Sequence, residues 1–441
     1  MMHALQVRRF ASSPYLFLLS LLPLLFQALP SLADTIDDSF RPYAKGLPAI
    51  QGLEKGGVIS KKNVDQYQDY IDPAMLEVLR KGWTELSVRP TSSFDIEPTY
   101  IEATRAHSSK TKLGTKEGEL AAYIGGRPFP EEPKTSDPRA GEKVAWNYRY
   151  RQGDGFTINP IQWKYVDMAS GKVERLLRVE VHTLKYKHRS KEQPLPDVLP
   201  NPSNLYFASY LKVFEPPEFK NTQLLIQRYE DDTKQDDAYL YMGFQRRVRR
   251  LATGQSTDAF LGSDVMIEDF DGYNARVSET HWTFKGERLL LLPFFNHDEL
   301  PLSTEFKDNE GFQYAAFSGQ GGCFPNIHWQ LRKTYIVEAE PLSPQHPVSK
   351  RIFYFDAQTY EIARTSIYDR RGSLWKIAIL GKSHPDRHLP ANRGSGMPLN
   401  DAGAMIDVQA QHCSTAQFKS LAVPALSAPA MFQVQYLRGG D

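Results

Sequence analysis

Residues 332–380 read RKTYIVEAEPLSPQHPVSKRIFYFDAQTYEIARTSIYDRRGSLWKIAIL. Within them, the runs 332–340, 350–356, 361–369 and 373–380 are rich in β-branched and aromatic residues, and the last two meet at the turn signal Arg371-Gly372. Strands that follow one another this closely, joined by short turns, pair as antiparallel neighbours. Further strand candidates lie upstream at 174–186, 205–214, 222–230, 238–242, 246–251 and 280–293, with Asp271-Gly272 as another turn. A strand is also expected at 144–151, where Val144, Trp146, Tyr148 and Tyr150 alternate with Ala145, Asn147, Arg149 and Arg151. The predicted class is α+β, mainly β, built on one large antiparallel sheet with one apolar face and one wet face. A sheet of this size should curve strongly toward a barrel or half-barrel, because twisted open sheets rarely stay flat beyond about 10 strands.

Outside the strands the signals are sparser. Asp72 can cap a helix that starts at Pro73, carries Met75, Leu76 and Leu79 on one side and ends at Gly82. A second helix is expected from Pro98 to about His107. Residues 124–141 hold Pro128, Pro130, Pro133 and Pro138 and read as a long ordered loop or linker. The segment 258–270 reads as a short helix or loop. The tail 381–441 is expected to wrap the body as loops, with a late helix around 402–411.

Composition narrows the class of function. With 53 Lys+Arg against 52 Asp+Glu, the chain lacks the basic surplus of a nucleic-acid binder. Thirty prolines and 29 glycines argue against a coiled coil or helical bundle. Arg8 and Arg9, the apolar stretch Tyr15–Leu25 and the tripeptide Ser31-Leu32-Ala33 form the pattern of a secretory signal. Cleavage after Ala33 would leave residues 34–441 as a single exported domain with extended N- and C-terminal wrapping segments. No cysteine lies at the cut, so a periplasmic chain without a lipid anchor is expected. Export makes a Cys323–Cys413 disulfide possible; two separate buried thiols are the alternative.

No catalytic constellation is evident. There is no Gly-x-Ser-x-Gly elbow, no P-loop and no HExxH. His384 and His388 stand four apart, but Pro385 and Pro390 oppose a helix there, so neither a metal nor another cofactor is expected. Trp146, Tyr148 and Tyr150 would share one side of a regular strand and could line an apolar cavity or form core. Tyr239 and Tyr241 are further candidates for such a lining. The basic run Arg246-Arg247-Val248-Arg249-Arg250 reads either as an anion or headgroup contact or as a solvated face pairing with Glu230, Asp231, Asp232 or Glu268.

Residues 239–270, YLYMGFQRRVRRLATGQSTDAFLGSDVMIEDF, resemble the signature region of the LolA/LolB-like superfamily: a basic strand, an F-x-G-S-D loop and an E-D-F turn. The stretch Lys333–Lys376 is similar to the same superfamily. The runs Ile124–Pro130 (IGGRPFP), Gly141–Asn147 (GEKVAWN) and Phe432–Arg438 (FQVQYLR) resemble domain-of-unknown-function family 1329 within it. The resemblance implies a LolA/LolB-like half-barrel, with helices packed in the concave side of the curved sheet. It also implies a non-enzymatic periplasmic carrier for a lipid, acyl chain or sterol-like molecule. The partners it implies are an inner-membrane RND-type exporter and an outer-membrane protein. The alternatives are a structural or assembly partner of an envelope complex with a self-filled interior, and a hydrolase with a nucleophile near His281 or His328.

Overall fold

The computed structural model describes residues 1, 32–252, 256–308, 310–422 and 429–439. The expected signal segment, residues 1–33, lies almost wholly outside them. Among the described residues a single 16-stranded sheet dominates. Its strands are β1 (Gly57–Ile59), β2 (Leu86–Val88), β3 (Thr157–Asp167), β4 (Val173–Lys185), β5 (Leu205–Glu215), β6 (Gln223–Tyr229), β7 (Asp237–Met242) and β8 (Arg247–Arg250). They continue as β9 (Thr280–Leu292), β10 (Phe294–Phe295), β11 (His328–Pro341), β12 (Val348–Asp356), β13 (Ile362–Asp369), β14 (Leu374–Ser383), β15 (Leu399–Asp407) and β16 (His412–Leu421). Two antiparallel meanders make up most of it. One runs β11 to β16 and the other β3 to β8, and they join where β16 pairs with β3, Cys413 opposite Val166 and Ala416 opposite Trp163. β9 adds to β11 antiparallel, while the short β2 and β10 pair in parallel with β11 and β14.

Alternation sorts the side chains of the central strands onto two faces. On the first, Ile377 and Ile379 of β14, Ala404 and Ile406 of β15, Cys413 of β16 and Val166 of β3 form a buried cluster. Helix α2 (Pro73–Lys81) and the segment 300–327 cover it. The α2 start is built as its sequence indicates: the Asp72 carboxylate accepts the Met75 N–H at 3.0 Å, Pro73 occupies the first turn, and Gly82 ends the helix at φ 74°. Asp72 also pairs with Arg364 of β13 at 3.0 Å, so the cap fixes the helix to the sheet. Cys323 and Cys413 form a disulfide with Cα atoms 6.0 Å apart, tying the covering segment to β16.

The second face is covered as well, so the expected division into one apolar and one wet face does not hold. Helix α4 (Ala140–Arg149; α1 is Leu32–Phe40 and α3 Pro98–His107) packs with Trp282 and Phe284 of β9, Val337 of β11 and Phe353 of β12. This α4 is the segment expected to be a strand. The alternation that suggested a strand is incidental, because residues 144–150 are buried on every side and a fully buried element carries no periodic signal. Its polar groups are satisfied inside: Asn147 exchanges two hydrogen bonds with the Phe129 backbone, at 2.9 and 2.7 Å, and Arg149 pairs with Asp232 at 2.8 Å. The proline-rich loop before it is packed rather than a linker. Buried Arg127 donates to the Ser39 and Gln358 carbonyls at 2.6 and 2.7 Å. Gly126 there has φ 78°, and a Cβ would lie 2.3 Å from the Thr104 nitrogen.

The tail also departs from expectation. Residues 402–411 are not helical; they belong to β15 and the turn after it, and β15 and β16 sit in the middle of the sheet. Ala402, Gly403 and Ala404 carry no strand signal of their own, and pairing with β14 and β16 on either side gives them their extended conformation.

Candidate functional site

On the second face the cover is incomplete. A cavity of about 260 Å³ opens against it. Its floor is the alternating set that points away from the disulfide-tied cluster: Leu380 of β14, Met405 of β15, Ala416 and Phe418 of β16, Trp163 of β3 and Leu211 of β5. α4 contributes Tyr148 to the wall, and residues 265–274 form much of the roof.

That roof is the F-x-G-S-D and E-D-F segment. Phe260 stacks on Trp163 with ring centroids 5.9 Å apart, and Phe270 meets the same indole edge-on at 6.2 Å. Asp264 accepts from Ser414 Oγ at 2.7 Å and pairs with His412 at 2.8 Å. Burial opposes a charge on His412, but Asp264 and Glu174 outweigh it and raise its pKa. Glu268 and Asp269 both reach Arg351 of β12, the latter at 3.0 Å, and His346 adds a contact to Glu268 at 3.0 Å. Burial alone would raise the Glu268 pKa, but Arg351 and His346 overcome it and hold the carboxyl down to about 2. For Asp269 burial dominates and pushes the pKa up.

One end of the cavity is polar. Arg151 Nε meets Glu361 at 2.8 Å and its other arm meets Asp271. Lys382 bridges Glu361 and Asn400, 2.7 Å to each, and the Asn400 amide donates to Asp271 at 2.8 Å, closing a ring of two cations, two anions and an amide. Lys185, at the end of β4, stands beside this ring and donates to the Arg151 carbonyl at 2.8 Å. It sits deep in the protein, yet is only half-buried, because its open surface is cavity wall.

Of the residues proposed from sequence, Tyr148 lies in the cavity wall, its hydroxyl donating to the Asp271 carbonyl at 2.6 Å. Trp146 and Tyr150 are stacked behind it in the packed cluster, 5.7 Å apart, and do not line the cavity. Tyr239 and Tyr241 of β7 pack with Phe432 and Leu437 of the C-terminal segment, away from it. The arginine run forms the edge strand β8 and stays exposed, with Arg250 paired to Asp237 rather than to any of the acids expected. His281 pairs with Glu117 at 2.9 Å, and His328 is buried elsewhere; neither reaches the cavity. Lys185, Arg151, Glu361 and Lys382 were not anticipated. The available signal was positional: Val181, Thr183 and Lys185 share one alternating stripe, and a lysine ending an apolar stripe is unusual.

His297, His388 and Asp401 also converge. His297 pairs with Asp401 at 2.8 Å; burial disfavours its charge, but Asp401 prevails and raises its pKa. Burial drives His388 down to about 4, so it is neutral. Asn392 takes the Ala422 N–H on its oxygen at 2.8 Å and donates to the Ser420 carbonyl at 2.9 Å, which fixes its amide to face His388 Nδ1 as a donor, 3.2 Å away. The His388 proton therefore sits on Nε2, facing Asp401 at 3.8 Å, and that nitrogen has no lone pair for a metal. The cluster fits a buried ion pair.

Residues 58–438 match the family described as protein of unknown function (DUF1329). An uncharacterised protein of Pseudomonas aeruginosa is 26% identical over 366 residues, spanning 79% of this chain and 72% of its own. Among solved structures, a DUF1329 family protein from Desulfovibrio piger is 15% identical, with a TM-score of 0.47 over 68% of this chain and 99% of that one. A LolA superfamily protein from Nitrosomonas europaea is 13% identical, with a TM-score of 0.37 over 66% of this chain and 94% of that one. No helix among the described residues is long and apolar enough to cross a membrane.

Proposed function

The chain belongs to the DUF1329 family, whose description assigns no role, and from that premise and its cavity we propose that it is a periplasmic, non-enzymatic carrier of a hydrophobic molecule. The observation that carries this reading is the floor of the cavity. The half-buried Leu380 and Phe418 turn apolar surface into open space at the centre of a sheet whose other face is packed, and the edges of Trp163, Leu211 and Met405 complete the apolar border. An apolar surface left uncovered is unfavourable by about 25 cal/mol per Å², and a ligand that buries it recovers that free energy. Mainly apolar walls with a few convergent polar groups are the usual make-up of small-molecule sites.

Export through a cleaved segment 1–33, and exchange with an inner-membrane RND-type exporter and an outer-membrane protein, complete the proposal. Those parts rest on the sequence pattern and the motif resemblance rather than on the cavity.

The test begins with the full chain expressed with its own leader, purified from the envelope and extracted with organic solvent for mass spectrometry. A stoichiometric lipid, fatty acid or sterol-like molecule supports the carrier reading. Ala416→Trp, which fills the cavity from β16, should remove most of that cargo while the protein stays folded. A clean extract, even after incubation with envelope lipids, overturns the reading and favours an assembly partner.

A further inference from the structure

Nine charged residues border the cavity, and eight of them have opposite-charge partners. Arg149 pairs with Asp232, Arg228 with Asp236, Arg364 with Asp72 and Asp269 with Arg351. Arg151, Asp271, Glu361 and Lys382 satisfy one another in the ring described above. Lys185 is the exception among the described residues: its ammonium meets one backbone carbonyl and no carboxylate. The acid behind it, Asp154, is already engaged by the N–H groups of Ser190, Lys191 and Glu192, the shortest at 2.8 Å. Arg189, packed against the same turn, donates only to carbonyls, two of them at 2.9 and 3.0 Å, and brings another positive charge. Burial lowers the Lys185 pKa to about 8, against the pull of Asp154, which leaves the amine mostly charged at neutral pH. An ammonium has three donors, and a desolvated one is strongly stabilised by an anionic acceptor.

The apolar floor starts beside this ammonium. Phe207 and Leu211 lie on β5, with Lys185 opposite Phe207 and Val181 opposite Leu211, and the floor continues across β4 to Ile161 and Trp163 of β3. A positive pole at one end of an apolar trough matches an amphiphile with one anionic end. The volume of about 260 Å³ lies just under the usual range of ligand sites, about 300–1,000 Å³, and leaves room for no more than one hydrocarbon chain.

We propose that the cavity selects a single-chain amphiphile with a carboxylate head, a long-chain carboxylic acid, whose head pairs with Lys185 and whose chain lies along β5, β4 and β3 toward Trp163. This rests on the carrier reading above and specifies its cargo. The ring of Arg151, Glu361, Lys382 and Asp271 holds the α4 end of the wall in place and presents no free charge of its own. Lys185 therefore supplies the discrimination between an acid and a neutral molecule of the same length.

The experiment measures binding of palmitate, hexadecanol and hexadecyl phosphate to the delipidated full chain by titration calorimetry. In the unsubstituted protein palmitate should bind at least about tenfold more tightly than hexadecanol, the lower end for a charge-assisted hydrogen bond. Lys185→Met should erase that preference while keeping the hexadecanol affinity, and Lys185→Arg should retain it. Equal binding of acid and alcohol by the unsubstituted protein overturns the proposal without any variant having to fold, and a preference that survives in Lys185→Met overturns it too. Hexadecyl phosphate binding far above palmitate overturns the carboxylate in favour of a phosphate head. Failure of all three to bind overturns this proposal, and the solvent extract separates the two readings: a different lipid or a sterol-like molecule in it keeps the carrier, and a clean extract sinks both.

Discussion

Strand β14 carries two different environments on alternate residues. Ile377 and Ile379 enter a cluster sealed by α2 and the segment 300–327, whereas Ala378, Leu380 and Lys382 face the cavity. β16 repeats the contrast, with the bonded Cys413 on the sealed side and Ala416 and Phe418 on the open one. The covers also differ in one of their ties. On the sealed side apolar packing, the buried Asp72–Arg364 pair and a covalent bond hold the covering chain. On the open side the 260–272 roof is held by Phe260 and Phe270 on Trp163 and by carboxylates: Asp264 on Ser414 and His412, Glu268 and Asp269 on Arg351. Both covers combine packing with ion pairs, and the covalent tie, present only on the sealed side, is what separates them.

The largest effect should come from the covalent tie. Cys323 and Cys413 are 90 residues apart, and opening a loop of that size removes about 4 kcal/mol of stability. Cys323→Ser with Cys413→Ser should shift a urea midpoint accordingly, and an unchanged midpoint would show that packing alone secures the sealed face. Next, Ile377→Ala should lose about 3 kcal/mol, because the side chain is fully buried. The roof is tested by pH. The Glu268 carboxyl is held below its usual range, so its contribution, up to roughly 3 kcal/mol, is complete above about pH 4.5 and fades as pH falls toward 2. Hydrogen exchange of residues 260–272 should accelerate over that window before the α2 cluster loosens, while Glu268→Gln should exchange fast and with little pH dependence. If both regions loosen together, the two covers are one cooperative unit. The smallest effect belongs to the open floor: Leu380→Ala should lose only about 1 kcal/mol, since its surface already faces the cavity. A loss as large as that of Ile377→Ala would mean that the two faces are equally packed.

The strands were legible where turn chemistry and half-burial coincide. Every candidate in 332–380 corresponds to an observed strand, and so do the hairpins from 174 to 251. The α2 boundaries were legible because Asp72, Pro73 and Gly82 act locally. α4 was misread because its residues are buried all round, and β15 because Ala402-Gly403-Ala404 gains its strand conformation from neighbours distant in sequence. The site was less legible still. Tyr148 stands out in the sequence for an alternation that is incidental, and it borders the cavity by way of a helix. The unpaired state of Lys185 follows from where Asp154 and Glu361 spend their oxygens, and no local pattern records that.

The seam between β16 and β3 sets the order in which the molecule can be finished. A chain emerging N-terminus first presents β3 with β4 at one edge and nothing at the other, since Val166 awaits Cys413. The cavity is bisected by that seam, Trp163 on one side and Ala416 on the other, so it does not exist until nearly the whole polypeptide has been made. Closing so distant a contact is slow, because the entropy of the intervening loop must be overcome before any pairing rewards it. Such a polypeptide stays open along this edge through most of its synthesis, and the two meanders become one sheet only when its last long strand is in place.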